Sequence, residues 1–259
     1  MSWQIANTTI NSRLLLGTAN YPSPAIMKEA IASAKTEIIT ASVRRQSPQT
    51  KSGKQFWDYL LETGCHLLPN TAGCRSAKEA ITTAQMAREI FNTPWVKLEV
   101  IGDDYTLHPD PFGLVIAAKE LIQQGFEVLP YCTDDLVCCE RLVEAGCKIL
   151  MPWGSPIGSG QGLLNIYQLK TLRNRLSNIT LIIDAGIGAP SHAVQAMELG
   201  YDAILLNSAV SQAVDSIKMG QAFAKAIDAG RLAYEAGLMP KRDMAIPSTP
   251  VLGMPFTVS

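Results

Sequence analysis

Two hydrophobic patterns alternate along the chain. Short apolar runs predict β-strands, and longer segments with apolar residues every three or four positions predict amphipathic helices. One helix start is marked by Ser76 and Glu79, which have the spacing of a capping box. The eight predicted strands lie at 13–18, 37–43, 65–70, 96–102, 127–132, 147–153, 180–186 and 202–208.

Each predicted strand is followed by a helical pattern, which indicates repeated βα units and a parallel sheet. Eight such units with no Pro/Ser-rich linker predict one α/β domain across residues 1–259, a (β/α)8 TIM barrel. The alternative is an open sheet with a dinucleotide site. "GSGQG" at 158–162 and "GIGAPS" at 186–191 lack the required glycine spacing, and neither lies in the first βα turn, so this alternative fails.

Composition excludes several classes of function. The chain of 259 residues has 47% hydrophobic residues and a net charge of −1, so it can bury a full core and lacks the basic surface of a nucleic-acid binder. Its six cysteines show no CxxC pair or zinc spacing, which predicts reduced thiols in the cytoplasm. No apolar run approaches the roughly 20 residues of a membrane helix. The three scattered histidines suggest no metal site, and we expect no cofactor.

The strand "VKLEVIG" carries two charges on one face. Lys97 and Glu99 alternate with Leu98 and Val100, so in a barrel the charged pair points inward and the apolar pair faces the helices. An isolated buried lysine responds by a fall of its pKa, and the neutral amine can form a Schiff base with a ketone. The alternatives are a Lys–Glu pair that neutralises itself, or an exposed face.

Asp184 lies near the carboxyl end of the seventh predicted strand, at the rim where TIM barrels gather their catalytic residues. It is a candidate acid/base group, although a turn or capping role is equally consistent with its position. The loops that follow the last two strands, 185–191 and 207–211, suit phosphate binding through backbone N–H groups, as does 158–162. Their glycines could instead serve only the turns. Taken together, these features indicate imine and enol chemistry on a phosphorylated sugar.

Longer stretches of the chain form a series of motifs in a fixed order. They are "SRLLLGTANY" (12–21), "LPNTAGCRSAKEA" (68–80), "VKLEVIGDD" (96–104), "HPDPFGLVIAAKELIQQGFEVLPYCTDD" (108–135), "MPWGSPIGSGQGL" (151–163), "IIDAGIGAPSHA" (182–193), "DAILLNSAV" (202–210) and "GRLAYEAGL" (230–238). In these motifs the chain resembles the bacterial thiazole synthase family, the ThiG type of thiamine biosynthesis. The resemblance covers nearly the whole chain, and the order and spacing of its motifs are highly specific.

The resemblance implies a reaction in which 1-deoxy-D-xylulose 5-phosphate, dehydroglycine and the thiocarboxylate of a small sulfur-carrier protein condense to a thiazole phosphate. It implies that Lys97 forms an imine with the sugar and that Glu99 and Asp184 move protons. The residues implied to contact the sugar phosphate are Gly158, Ala185, Gly186, Asn207 and Ser208.

The resemblance also implies the expected partners: a ThiS-type sulfur carrier, the dehydroglycine-forming enzyme of the pathway, and further copies of the chain in a homo-oligomer, a tetramer. Arg44 and Arg45 follow the second strand, where they could be a solvated pair or could meet the carrier's tail or the substrate. Two other functions stay open from the residues alone. One is a Schiff-base aldolase acting on a sugar phosphate, and the other is a barrel that binds a sugar phosphate without catalysis.

Overall fold

The computed structural model describes residues 2–44 and 51–248. Eight parallel strands close into a barrel surrounded by helices, which confirms the predicted TIM-barrel fold. The barrel strands are β3 (Leu14–Gly17), β4 (Ile38–Ser42), β5 (His66–Asn70), β6 (Trp95–Leu98), β7 (Glu127–Cys132), β8 (Ile149–Pro152), β9 (Thr180–Asp184) and β10 (Ala203–Leu206). The helices are α1 (Pro24–Ala34), α2 (Lys51–Leu61), α3 (Ala77–Phe91), α4 (Pro111–Gln123), α5 (Leu136–Glu144), α6 (Ile166–Arg175), α7 (Pro190–Glu198), α8 (Ser208–Ser211) and α9 (Ser216–Ala236).

A short hairpin precedes the barrel and was not among the predicted elements. Its strands β1 (Trp3–Ile5) and β2 (Thr8–Ile10) pair antiparallel across a turn in which Ala6 has a φ of 51°. Ile5 and Ile10 are fully buried. They join an apolar cluster that includes the first residues of β4, β6 and β8, so the hairpin closes the amino end of the barrel.

The helix starts follow the capping chemistry expected of α/β loops. Several helices begin after a Ser, Asp or Asn side chain that accepts a main-chain N–H of the first turn. These N-cap residues are Ser23, Ser76, Asp110, Asp135, Asn165 and Asp215. No helix within the described ranges is both long enough and apolar enough to cross a membrane.

Strand β6 is shorter than its predicted counterpart. It ends at Leu98, whereas the apolar pattern continues to residue 102. The N–H and the carbonyl of the next residue, Glu99, are bonded to the Thr71 hydroxyl instead of to a neighbouring strand, each at 2.8 Å. A side chain therefore interrupts the ladder at this point.

Candidate functional site

Lys97 lies between two carboxylates at the carboxyl end of the barrel. Its Nζ is 2.7 Å from Asp184 Oδ2, three strands away along the barrel, and 3.2 Å from Glu99 Oε1. All three residues are buried: Lys97 is 6% exposed, Glu99 5% and Asp184 2%. The predicted parity of β6 is confirmed, since Leu98 and Val100 pack in the outer apolar cluster. The alternative of an exposed charged face is wrong.

The charge state of Lys97 differs from the sequence expectation. Burial disfavours the charged amine, but Asp184 and Glu99 outweigh it through charge and hydrogen bonding, so the pKa of Lys97 is raised. The expected fall of its pKa applies to an isolated lysine and is wrong here. Burial also raises the pKa of Asp184, to about 6, although Lys97 acts in the opposite direction. The lysine is therefore protonated at rest beside an unusually basic carboxylate.

All eight predicted site residues line one cavity of about 850 Å³, which opens at the carboxyl ends of the strands. Its volume lies within the usual range of small-molecule sites, about 300–1,000 Å³. The residues that it shares with the sequence prediction are Lys97, Glu99, Gly158, Asp184, Ala185, Gly186, Asn207 and Ser208. The structure thus brings together side chains from positions more than 100 residues apart in the chain.

The loop after β9 has an unusual backbone. Ala185 and Gly186 both have left-handed φ values, 75° and 79°, and Gly158 in the loop after β8 has a φ of 75°. A left-handed φ at a residue other than glycine carries strain, which structures tend to keep at functional sites. Backbone N–H groups in such turns can converge on an anion.

Packing between loops also accounts for some of these glycines. A Cβ on Gly186 would lie 2.0 Å from Ser155 Oγ, and one on Gly188 would lie 2.3 Å from the carbonyl oxygen of Gly160. The N–H of Gly188 donates to His192 Nδ1 at 3.2 Å. Gly186 and Gly188 are therefore required for tight contact between the loops, and the assignment of Gly186 to a phosphate contact stays a prediction.

Asn207 and Ser208 begin the short helix α8. Asn207 occupies the N-cap position, but its side chain does not cap the helix. Its Oδ1 is buried without a hydrogen-bond partner, and the side chain packs so closely on Gly17 that a Cβ there would lie 2.6 Å from Asn207 Cβ. The glycine at the end of β3 thereby leaves space for the Asn207 side chain at the cavity wall.

Three residues around Lys97 were not identified from the sequence. Asn70 is the register partner of Lys97 on β5 and lines the cavity, and its Nδ2 donates to Thr40 Oγ1 at 3.0 Å. Thr71 holds the main chain of Glu99. The ring centroid of Tyr131 is 5.7 Å from Lys97 Nζ. Asn70 and Tyr131 lie at the carboxyl ends of β5 and β7, and this position could have identified both residues from the sequence.

Arg44 lies at the exposed rim. Its Nη1 donates to the carbonyl of Gly73 at 2.6 Å and lies 3.6 Å from Glu79 Oε2. These contacts hold the loop after β5, and they account for the position of Arg44 without a bound ligand. Arg45, the other half of the predicted pair, lies outside the described residues. Within the ranges that the structure covers, no group of three or more His, Cys, Asp or Glu side chains could hold a metal ion.

The fold and the site together define a class: a TIM-barrel enzyme whose ionisable residues meet inside the carboxyl end of the barrel. The sequence model of the family described as "Thiazole biosynthesis protein ThiG" matches residues 4–250. The chain therefore belongs to the ThiG family, the thiazole synthases of thiamine biosynthesis.

Similar proteins agree with this membership. A thiazole synthase of Coxiella burnetii is 58% identical over 257 residues, which cover 99% of this chain and 98% of the relative. One from Brucella anthropi is 60% identical over 245 residues, covering 95% and 96%. The crystal structure of the Amycolatopsis orientalis BexX/CysO complex superposes with a TM-score of 0.83 at 30% identity, over 93% of this chain and 98% of that chain.

Proposed function

We propose that this thiazole synthase condenses 1-deoxy-D-xylulose 5-phosphate, dehydroglycine and the sulfur of a thiocarboxylated carrier protein, through a Schiff base on Lys97. The single observation that carries the proposal is the position of the Lys97 amine, buried between Glu99 and Asp184 in the cavity. Membership of the ThiG family supplies the substrate class.

The first step requires a neutral amine. Lys97 can pass its proton to Asp184, whose oxygen is 2.7 Å away and whose raised pKa makes it a stronger base than an exposed aspartate. The amine then adds to the C2 ketone of the sugar, and water leaves to give the imine. Both carboxylates are close enough to the nitrogen to donate and accept the protons of these steps.

The second step moves the carbonyl. Glu99 or Asp184 removes the proton from C3, and the electron pair of that C–H bond forms the enaminol. Return of a proton to C2 leaves a ketone at C3, to which the thiocarboxylate sulfur can add. We assign the sugar phosphate to Gly158, Ala185, Gly186, Asn207 and Ser208, because these positions line the cavity and three of them have left-handed φ values.

The partners belong to the same proposal. The BexX/CysO structure is a complex, which supports an analogous contact between this chain and a small sulfur carrier. We also propose the pathway's dehydroglycine-forming enzyme as a partner, a homotetramer in solution, and a cytoplasmic location. All six cysteines are free thiols, as expected for a reducing compartment. Light scattering of the purified chain measures its oligomeric state.

Borohydride trapping tests the proposal. The parent protein is incubated with 1-deoxy-D-xylulose 5-phosphate, reduced, and digested for mass mapping. We expect the adduct on Lys97 and its complete loss in Lys97→Arg, because a guanidinium keeps the positive charge between the carboxylates but is not a nucleophile. The exposed Lys148 and Lys170 serve as internal controls. An adduct on either of them, with Lys97 unmodified, contradicts the proposal.

A second assay separates the synthase from a Schiff-base aldolase. We expect product only when the thiocarboxylated carrier and the glycine imine are both supplied. Cleavage of a carbon–carbon bond in the sugar phosphate without a sulfur donor would support the aldolase instead. Reversible binding with no trapped adduct would support a non-catalytic barrel.

A further inference from the structure

The hydrogen bonding between β5 and β6 changes in kind next to the candidate catalytic residues. The N–H of Thr71 donates to the carbonyl of Lys97 at 3.2 Å, as in a regular parallel pair. The Thr71 hydroxyl then accepts the N–H of Glu99 and donates to the Glu99 carbonyl, both at 2.8 Å. Backbone bonding resumes at Ile101, whose N–H donates to the carbonyl of Cys74 at 2.8 Å. One hydroxyl therefore holds both main-chain polar groups of Glu99.

This arrangement determines where the Glu99 carboxylate can lie. Thr71 is fully buried and Glu99 is 5% exposed, so their mutual hydrogen bonds have no ready replacement from water. The Thr71 side chain also acts as a spacer, because β6 is no longer directly paired with β5 beyond Leu98. A carboxylate that moves protons must be held within about 0.5 Å of its productive position.

We propose that Thr71 is a positioning residue, whose hydroxyl fixes the main chain of Glu99 and so holds the carboxylate against Lys97 for proton transfer. The inference rests on the proposed function. It assigns to Thr71 a role in the second chemical step, proton removal from C3, and not in formation of the imine. Lys97 keeps its own contact with Asp184, which does not involve Thr71.

A matched control lies at the opposite end of the barrel. The hydroxyl of Thr36 donates to the carbonyl of Leu14 and contacts the carbonyl of Ile38 at 3.2 Å. Thr36 is 6% exposed, and it is not among the cavity-lining residues. Thr71→Val and Thr36→Val therefore remove the same group from similar surroundings, one near Lys97 and one far from it. Thr71→Ser keeps the hydroxyl and loses only a methyl group.

The experiment measures two steps on the same variants. Borohydride trapping reports imine formation, and exchange of the sugar's C3 proton with deuterated solvent reports proton transfer. In Thr71→Val we expect trapping at or above the parent rate, because displacement of the carboxylate leaves more of the amine neutral. We expect exchange to be reduced by about 10-fold to 100-fold, the usual size of a small misplacement. We expect Thr71→Ser to restore exchange, and Thr36→Val to lose thermal stability but not exchange. If valine is not accommodated, Thr71→Ala tests the same loss.

A measurement without substrate keeps this inference separable from the proposed function. The rate of acetic anhydride labelling of Lys97 at a fixed pH reports the neutral fraction of the amine, which rises when a neighbouring carboxylate moves away and the pKa of Lys97 falls. We expect a lower Lys97 pKa in Thr71→Val than in the parent, Thr71→Ser or Thr36→Val. If the parent forms no adduct with the sugar, the proposed function fails, and this labelling still decides whether Thr71 positions Glu99. An unchanged Lys97 pKa in Thr71→Val, parent-level exchange, or failure of serine to rescue overturns the inference.

Discussion

The two ends of the barrel interior are built from opposite chemistry. At the amino end, Ile5 and Ile10 of the hairpin cover an apolar cluster that includes Ile38 and Trp95. At the carboxyl end, the interior opens into a cavity of about 850 Å³. Strand β6 contributes to both, because Trp95 packs in the closed end and Lys97, two residues later, lies in the open end. The packed residue Trp95 and the candidate catalytic residue Lys97 are thus separated by only about 7 Å along one strand.

The apolar amino end is expected to supply more of the folding stability than the charged carboxyl end. Apolar burial contributes roughly 25 cal/mol per Å². A buried ion pair contributes little net stability, because the cost of removing both charges from water offsets much of their attraction. The group formed by Lys97, Glu99 and Asp184 is therefore poorly explained as a stabilising device, even though it neutralises part of its own charge. Groups with shifted pKa values that converge in a cavity are more typical of function.

The largest expected effect concerns the two carboxylates. If Glu99 and Asp184 move protons, Glu99→Gln and Asp184→Asn should still form the imine, because the remaining carboxylate can accept the Lys97 proton. One of the variants should then stall before the carbonyl migrates, because an amide is not a general base. We expect C3-proton exchange, measured with enzyme and 1-deoxy-D-xylulose 5-phosphate alone, to fall by at least about 10²-fold in one of the variants.

The opposite outcome is expected if the carboxylates only balance the charge of Lys97. Either amide should then lower the lysine's pKa and increase its reactivity, with C3-proton exchange unchanged. Glu144→Gln serves as the control, since Glu144 forms an exposed ion pair with Arg141 on the outer surface. Undiminished exchange in both site variants would mean that another base serves Lys97.

A smaller effect is expected from pH. Because burial raises the pKa of Asp184 to about 6, its base form is depleted below that pH. If Asp184 removes the C3 proton, exchange should fall about tenfold for each pH unit below about 6. The folded state also binds this proton more tightly than the unfolded chain, whose pKa is near 3.8. The free energy of unfolding should therefore decrease as pH rises from about 4 to 6.

Asp184→Asn is the control for both pH measurements. Its unfolding free energy should lack the decrease between pH 4 and 6, because no proton is taken up at that position. A parent exchange rate that stays level down to pH 5, with this decrease present, would assign the C3 proton to Glu99. Together, the two measurements show which carboxylate removes the C3 proton.

The sequence was sufficient where local geometry decides the outcome. Alternation along β6 predicted the inward direction of Lys97 and Glu99, because successive side chains of any strand point to opposite faces. The charge state of Lys97 could not be predicted in this way, since it depends on Asp184, which is 87 residues later (184 − 97) and three strands away along the barrel. The requirement for Gly186 likewise comes from Ser155 in another loop. The hairpin was missed because each of its strands has only three residues.

The smallest expected effect tests whether the closed end is independent of the chemistry. Ile5→Val removes one methyl group from a fully buried position and should lower the free energy of unfolding by about 0.5–1.5 kcal/mol. For a chain of this size the midpoint of thermal unfolding should fall by about 2–4 °C per kcal/mol. Ile116→Val makes the same change on a residue of α4 that is 59% exposed, and its midpoint should barely move. Lys97 trapping and C3-proton exchange should match the parent in both variants, because Ile5 packs with Trp95 and not with the cavity. A fall in exchange for Ile5→Val alone would show that packing at the amino end positions Lys97 through β6, and the two ends would then have to be treated as one unit.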